Sequence, residues 1–433
     1  MNTRYKPIDS NLFIGNRKRL TAKLKPKSAV FLASNDILPT NADGTFRLHQ
    51  NTDLFYLTGI DQEESILFLF PDAPNPAYRE ILFIKETNET IAVWEGYKYT
   101  KEHAQEVSGI KQVYWTHQFE SVIRFNIFES ENIYLNTNEH YRAGVETQTR
   151  QDRFRESIMA KFPLHRFERL APIMHNLRAI KTDTEIWLMK VACDITEKGF
   201  RRVLNYIEPD VMEYEIEAEF LHEFLWNRSR GFAYTPIVAS GANACVLHYI
   251  ENNRACKDGD LILLDVAAEY GNYNADMTRT VPANKRFSPR QKQVYEAVLR
   301  VMKQATALLK VGNDWDTHQH QVCEIMQEEL VNLGLISMND IKNQNPDWPA
   351  YKKYFMHGTS HFLGLDVHDV GNRYRKFEAG MIFTCEPGIY IPEEGIGIRL
   401  ENNILIKANE NVDLMSDIPI EVEEIEDLMN RGY

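Results

Sequence analysis

The chain has no Cys-x-x-Cys pair, and its five cysteines, Cys193, Cys245, Cys256, Cys323 and Cys385, are scattered and odd in number. That argues against a disulfide framework and against a structural zinc site, and it predicts reduced thiols in a reducing compartment, the cytoplasm. No stretch approaches the roughly 18 uninterrupted apolar residues that a membrane span requires. The first residues, Met1 to Pro7, lack the apolar core of a secretory leader. A soluble intracellular protein with no membrane partner is the expectation. Positive charge is also short: 49 Lys and Arg stand against 62 Asp and Glu, a formal net charge of −13. No broad cationic surface follows from that balance, so a nucleic-acid partner is not expected. Most of the acidity serves solubility.

The 433 residues are enough for two or three domains. In the first third, short strands alternate with helices. Residues 29–33, 65–70, 80–85 and 132–136 read as strands, and residues 71–76, with three prolines, as a surface loop between two of them. Residues 11–24 read as an amphipathic helix with a solvated basic face. This alternation predicts an α/β domain over residues 1–176, with the boundary between Leu170 and Ile180. The remainder, 177–433, opens on a capping box, Thr182 with Glu185, followed by helical periodicity over 186–206. A helix over 213–228 follows, then strand-like runs at 235–239 and 246–250. Ser288-Pro289 starts a helix that continues through 295–309, and 315–333 is the next. The order helix, helix, strands with an acidic hairpin occurs twice, which predicts an α+β domain of two halves about a pseudo-twofold axis.

The acidic hairpins carry the chemistry. Leu261 to Ala268 is apolar and holds Asp265; Tyr273 to Val281 is β-rich and holds Asp276. With Tyr270 and Gly271 as a two-residue loop, Asp265 faces Asp276, with Cβ atoms about 5 Å apart. Two carboxylates so placed need a shared proton or a cation between them. Met381 to Ile391 turns through Pro392-Glu-Glu-Gly395 into Ile396 to Glu401, which sets Glu386 opposite Glu401. Packed about the pseudo-twofold axis, the two hairpins would place four carboxylates in one cleft. Four such charges balance two divalent cations. Oxygen ligands with one or two imidazoles suit Mn²⁺ and accommodate Co²⁺, Fe²⁺ or Zn²⁺. Two cations about 3.5–4 Å apart would lower the pKa of a shared water towards about 7, the equipment of an amide or ester hydrolase.

Three histidines, His357, His361 and His368, lie within twelve positions between the hairpins. A lone histidine is more often a satisfied polar residue than a ligand, but this density and place point to a site. His248 carries a weaker signal. Arg399, two residues from Glu401, shares its strand face, where it serves either an ion pair or a substrate carboxylate. Cys385 alternates away from Glu386 and reads as core.

These segments resemble aminopeptidase P, whose relatives prolidase, methionine aminopeptidase and creatinase share the pita-bread fold. The likeness rests on Ser240-Gly-Ala-Asn243 with His248, Leu264-Asp-Val-Ala-Ala268 with Asp276, His357-Gly-Thr-Ser-His361 through Asp369, Glu386-Pro-Gly-Ile-Tyr390 and Ile398-Arg-Leu-Glu401. Phe46-Arg47, Asn51 to Gly59 and Val93-Trp-Glu-Gly96 resemble that family's creatinase-like N-terminal domain. By this resemblance Asp265 would chelate the first manganese, Asp276 and Glu401 would bridge both ions, and His361 and Glu386 would complete the second. Glu386 would also shuttle a proton. His248, His357 and His368 would surround the substrate, and Arg399 and Tyr390 would contact it or support the ligands. Trp94 resembles a tryptophan that reaches a neighbouring subunit's active site, implying a homo-oligomer, a dimer or tetramer. The implied reaction removes the N-terminal residue of a peptide with proline second. Prolidase, which cleaves only dipeptides, is the nearest alternative. A non-catalytic binding module on the same fold is disfavoured by the complete ligand set. Asn402-Asn403 departs from the acidic residues that often follow the last ligand.

Overall fold

The computed structural model describes residues 4–144 and 146–431. The chain forms two compact units, Met1–Arg178 and Ala179–Tyr433, and the division lies inside the 170–180 segment.

In the first unit six strands form one sheet in the order β4-β3-β2-β1-β5-β6. They are β1 (Ser28–Ala33), β2 (Ile66–Leu69), β3 (Glu80–Ile84), β4 (Gln112–Trp115), β5 (Asn132–Leu135) and β6 (Arg166–Arg169). β1 is central, antiparallel to β2 and parallel to β5. It is buried along its whole length, which is why it reads as a continuous apolar run rather than an alternation. Phe31, Phe68, Phe83 and Phe119 meet in the core on one side of the sheet. The N-terminal helix, Ser10–Thr21, corrects one expectation, because its basic face is not all solvated. Arg17 is fully buried. Its Nη1 donates to the carbonyls of Leu57 and Ser108, and its Nη2 lies 3.0 Å from Glu80. A buried guanidinium is tolerable when acceptors surround it, and those acceptors come from segments that the helix's own pattern cannot reveal.

The second unit opens on the long helix Asp183–Tyr206, with Thr182 and Glu185 forming the reciprocal capping box. It packs on the helix Glu213–Trp226, and Pro289–Leu308 packs on Trp315–Asn332. The strands between and after these pairs are β7 (Ile237–Ser240), β8 (Leu261–Asp265), β9 (Glu269–Tyr270), β10 (Tyr273–Asn274) and β11 (Thr278–Pro282), then β12 (Ile382–Cys385), β13 (Gly388–Ile391), β14 (Ile396–Arg399), β15 (Asn402–Leu405) and β16 (Val412–Asp413). Residues 246–250, expected as a strand, instead form an irregular segment after a 3₁₀ turn at Gly241–Cys245. The buried carboxylate of Glu213 explains the change. It accepts hydrogen bonds from the Ser240 amide and hydroxyl, the Tyr249 hydroxyl and the Arg254 amide, so it gathers this stretch around itself instead of leaving it to a ladder.

The first acidic hairpin has a different register from the one expected. Its two-residue loop is Gly271-Asn272, both left-handed at φ 60° and 69°, as a type I′ turn requires. Tyr270 therefore pairs with Tyr273, and Asp265 faces Thr278 instead of Asp276. The slip is two residues, so it preserves the face: Asp276 becomes the diagonal neighbour of Asp265 on the same side. In the second hairpin, Ile391 pairs with Ile396 across Pro392–Gly395, and Cys385 pairs with Asn402. That register places Glu386 opposite Glu401 at the seam between the two ladders.

Candidate metal centre

The hairpins meet where β11 adjoins the seam of the second. The Glu401 amide donates to the Thr278 carbonyl at 3.1 Å, and the Thr278 hydroxyl donates to Glu401 Oε2 at 2.7 Å. The histidine segment runs beside β12. The Thr384 amide donates to the His361 carbonyl, and the His361 amide donates to the Thr384 hydroxyl. Asn274 on β10 holds the same segment by donating its side-chain amide to the carbonyls of Gly364 and Leu365. The sequence order of these elements conceals how closely they converge.

One ligand atom each from Asp276, His361 and Glu401 lies within 4.8 Å of the others. His361 Nε2 is 3.3 Å from Asp276 Oδ2 and 3.5 Å from Glu386 Oε1. Its Nδ1 donates to the Phe362 carbonyl at 3.0 Å, which leaves Nε2 to face the carboxylates, the tautomer a cation needs. Asp265 completes the group from its edge. Its Oδ1 accepts from Tyr234 and its Oδ2 from Arg399 Nη2, each at 2.6 Å. The tight group is Asp276, His361 and Glu401, with Glu386 against His361 and Asp265 beside them, coupled to Asp276 through its charge.

The electrostatics describe a site with too much negative charge in too little water. Burial raises the Glu401 carboxyl well above its ordinary range, with the charges of Asp276, Glu386 and Asp265 adding to the effect. Burial likewise pushes Glu386 up to about 7, against the charge of His361. For His361, burial opposes the charged form, yet the bond to Asp276 and the charge of Glu386 raise it to about 9. The buried Oε1 of Glu401 has no hydrogen-bond partner. An orphaned buried carboxylate oxygen among like charges is what a hard divalent cation would satisfy, so the donor set fits such an ion.

These shifts predict how the metal-free protein responds to pH. A His361 raised from its usual 6.5 to about 9 stabilises the fold below pH 6.5, and that stability is lost as pH rises through 9. A Glu386 raised from 4.5 to about 7 favours the fold while it is protonated, so stability falls as pH climbs through that window. Both act in the same direction. Chelator-treated protein is expected to melt at a lower temperature at pH 8 than at pH 6. Because ligands must lose protons to bind a cation, the rise in melting temperature on adding Mn²⁺ should be larger at pH 8. Scanning fluorimetry measures both, and a Mn²⁺-induced rise independent of pH would count against the cluster as ligands.

Beside the cluster, Arg399 donates from Nε to the Thr278 hydroxyl, from Nη1 to the Tyr390 hydroxyl and from Nη2 to Asp265. The Tyr390 hydroxyl is 2.8 Å from His357 Nε2, and His357 Nδ1 donates to the Gly358 carbonyl. Burial and the nearby Arg399 charge hold His357 down at about 4, so it is a neutral imidazole. His368 stands edge-on to His361, ring centroids 4.5 Å apart. His248 is exposed, near enough to His357 to lower its basicity. Trp94 belongs to the first unit, on the helix Glu89–Glu95, and is 87% exposed. Tyr234, Thr278 and Thr384 touch Asp265, Glu401 and His361 but escaped the sequence reading. Thr278 was within reach of it, lying two residues past Asp276 on the same strand face; Tyr234 sits in an irregular loop with no periodic signal.

The family described as Metallopeptidase family M24 matches residues 188–408, and Aminopeptidase P, N-terminal domain, matches residues 13–134. The Xaa-Pro aminopeptidase of Haemophilus influenzae is 34% identical over 432 residues, covering 96% of this chain and 97% of that protein. Among solved structures, Pseudomonas aeruginosa aminopeptidase PepP superposes with a TM-score of 0.88 at 30% identity, covering 98% of each chain. Zinc-substituted Escherichia coli aminopeptidase P in complex with product gives a TM-score of 0.87 at 30% identity, over 98% of this chain and 99% of that one.

Proposed function

This chain belongs to metallopeptidase family M24, and from that footing we propose how its clustered side chains serve the removal of an N-terminal residue from a peptide with proline second. The observation that carries the reading is the convergence of Asp276, His361 and Glu401 within 4.8 Å, with a buried Glu401 oxygen left for a cation. Asp265, Asp276, His361, Glu386 and Glu401 would hold two divalent ions. An oxygen-rich set with one imidazole favours manganese, although the E. coli relative has been studied in a zinc-substituted form. When bound, such ions supply an acidified water and a positive charge for the developing oxyanion.

The chain's own groups do the rest. Glu386 accepts the proton that the attacking water loses and returns it to the departing proline nitrogen. That nitrogen belongs to a tertiary amide with no N–H, so it must gain a proton to leave as an amine. Neutral His357, with His248 and His368, lines the place where the peptide lies. Arg399 and Tyr390 are buried and committed to each other. We assign them to holding Asp265 and His357, with substrate contact secondary.

Five free cysteines fit a cytoplasmic setting, and among the described residues no helix is long and apolar enough to cross a membrane. Val93, Trp94 and Tyr97, all strongly exposed on one short segment, support self-association through the first unit. The decisive assay is cleavage of an Xaa-Pro-Xaa tripeptide with chelator and then with Mn²⁺ restored. Activity that is lost and regained supports the reading. Cleavage of Gly-Pro alone, with tripeptides untouched, would return the protein to the prolidases.

A further inference from the structure

The two adjacent asparagines after the last ligand have unrelated jobs. Asn402 accepts from Arg279 Nη2 and donates to Asp413. Asn403, fully buried, lies two residues past Glu401, so it points to the same face. That face looks onto the first hairpin at the gap between β10 and β11, where Asp276 sits. Cross-strand bonds flank this gap, from the Ala275 amide to the Ala268 carbonyl and from the Val266 amide to the Met277 carbonyl. The peptide groups of Asp276 itself are taken by a side chain. Its N–H donates to Asn403 Oδ1 at 3.1 Å, and its C=O accepts from Asn403 Nδ2 at 2.6 Å. The Cys193 thiol, from the long helix Asp183–Tyr206, donates to the same Oδ1 at 3.5 Å.

We propose that Asn403 is a positioning residue for cation binding: its amide clamps both peptide groups of Asp276 and so fixes that carboxylate against Glu401 on the other hairpin. The clamp must donate and accept at once, which a carboxamide does and an ionised carboxylate cannot. A carboxylate there would also add a fifth negative charge and set an oxygen against the Asp276 carbonyl. This accounts for an amide where the resemblance leads one to expect an acid. Ligand supports of this kind are commonly worth 10–100-fold in metal affinity. The proposal rests on reading Asp276 as a cation ligand.

The test is calorimetric titration of the metal-stripped full chain with Mn²⁺, for the wild type and three variants. Asn403→Leu keeps the branched shape and removes both bonds, and should weaken Mn²⁺ binding about 10–100-fold. Asn403→Ser, smaller and more easily folded, can keep one bond and should fall between. Cys193→Ala disturbs the same pocket without touching Asp276 and should bind as the wild type does. Wild-type affinity in Asn403→Ser and in any folded Asn403→Leu overturns the clamp, as does an equal loss in Cys193→Ala, which would mean general loosening. A wild type that takes up no divalent cation instead sinks the metal reading, and the clamp with it.

Discussion

Replacing Asp276 with alanine is expected to lower kcat/KM on an Xaa-Pro-Xaa peptide at least about 10³-fold, while at about pH 10, where His361 has lost its charge, the metal-free protein melts no lower than the wild type. The first half follows from position. Asp276 lies against His361 and acts electrically on Asp265, Glu386 and Glu401. On the proposed assignment its loss takes a ligand from the cation site. The charge stabilisation that metal ions give a transition state is worth several kcal/mol, and about 4 kcal/mol is three decades in rate. The second half follows from repulsion. The Asp276 charge raises the carboxyls of both Glu401 and Glu386, so its removal relieves the apo fold. Steady-state kinetics and thermal melts with chelator read the two halves separately. Turnover near the wild-type rate in a variant shown to be metal-free would reject the two-cation mechanism.

Lys181→Met is expected to cost about 3 kcal/mol of stability, a drop of roughly 6–12 °C in melting temperature for a unit of this size. Lys181 Nζ lies 3.2 Å from Asp369 Oδ2, and both side chains are 1% exposed. Removing the ammonium takes a close cation from a carboxylate deep in the fold, which keeps the Val370 amide at 2.9 Å, and breaking one side of a buried pair is costly. The backbone ties this spot to the site, because the Asp369 amide donates to the Phe362 carbonyl, next to His361. Activity should therefore fall with stability even though Lys181 touches no ligand. Adding Asp369→Asn removes the carboxylate charge and should restore part of the loss. Recovery of nothing by the double variant, with the single variant already at wild-type stability, would show the pair to be unimportant.

The parts of this molecule that were readable in advance are those set by local chemistry. The Thr182–Glu185 box, the Ser288-Pro289 helix start and the second acidic hairpin are specified by residues close in sequence. The first hairpin shows how such a reading slips. Tyr270-Gly271 and Gly271-Asn272 are both plausible two-residue loops, and only the second sets both residues left-handed without strain. Because strand faces repeat every two residues, Asp265 and Asp276 stay on one face despite the slip in register. Arg17, Tyr234 and the 246–250 segment were not readable. What decides each is an acceptor or donor from elsewhere in the chain: the carbonyls around Arg17, Asp265 for Tyr234, and Glu213 for Tyr249.

Glu386, Glu401 and Asp276 all sit at seams where a ladder stops and another begins. A residue at a seam takes its placement from individual fasteners, here Thr278, Thr384 and Asn403, and little from the regular lattice of the sheet. Anyone grafting the five proposed ligands onto a different pair of hairpins would carry over the charges and leave the fasteners behind. The smallest portable unit of this centre is therefore the ligands together with those three polar side chains, and it spans more than a hundred residues of sequence.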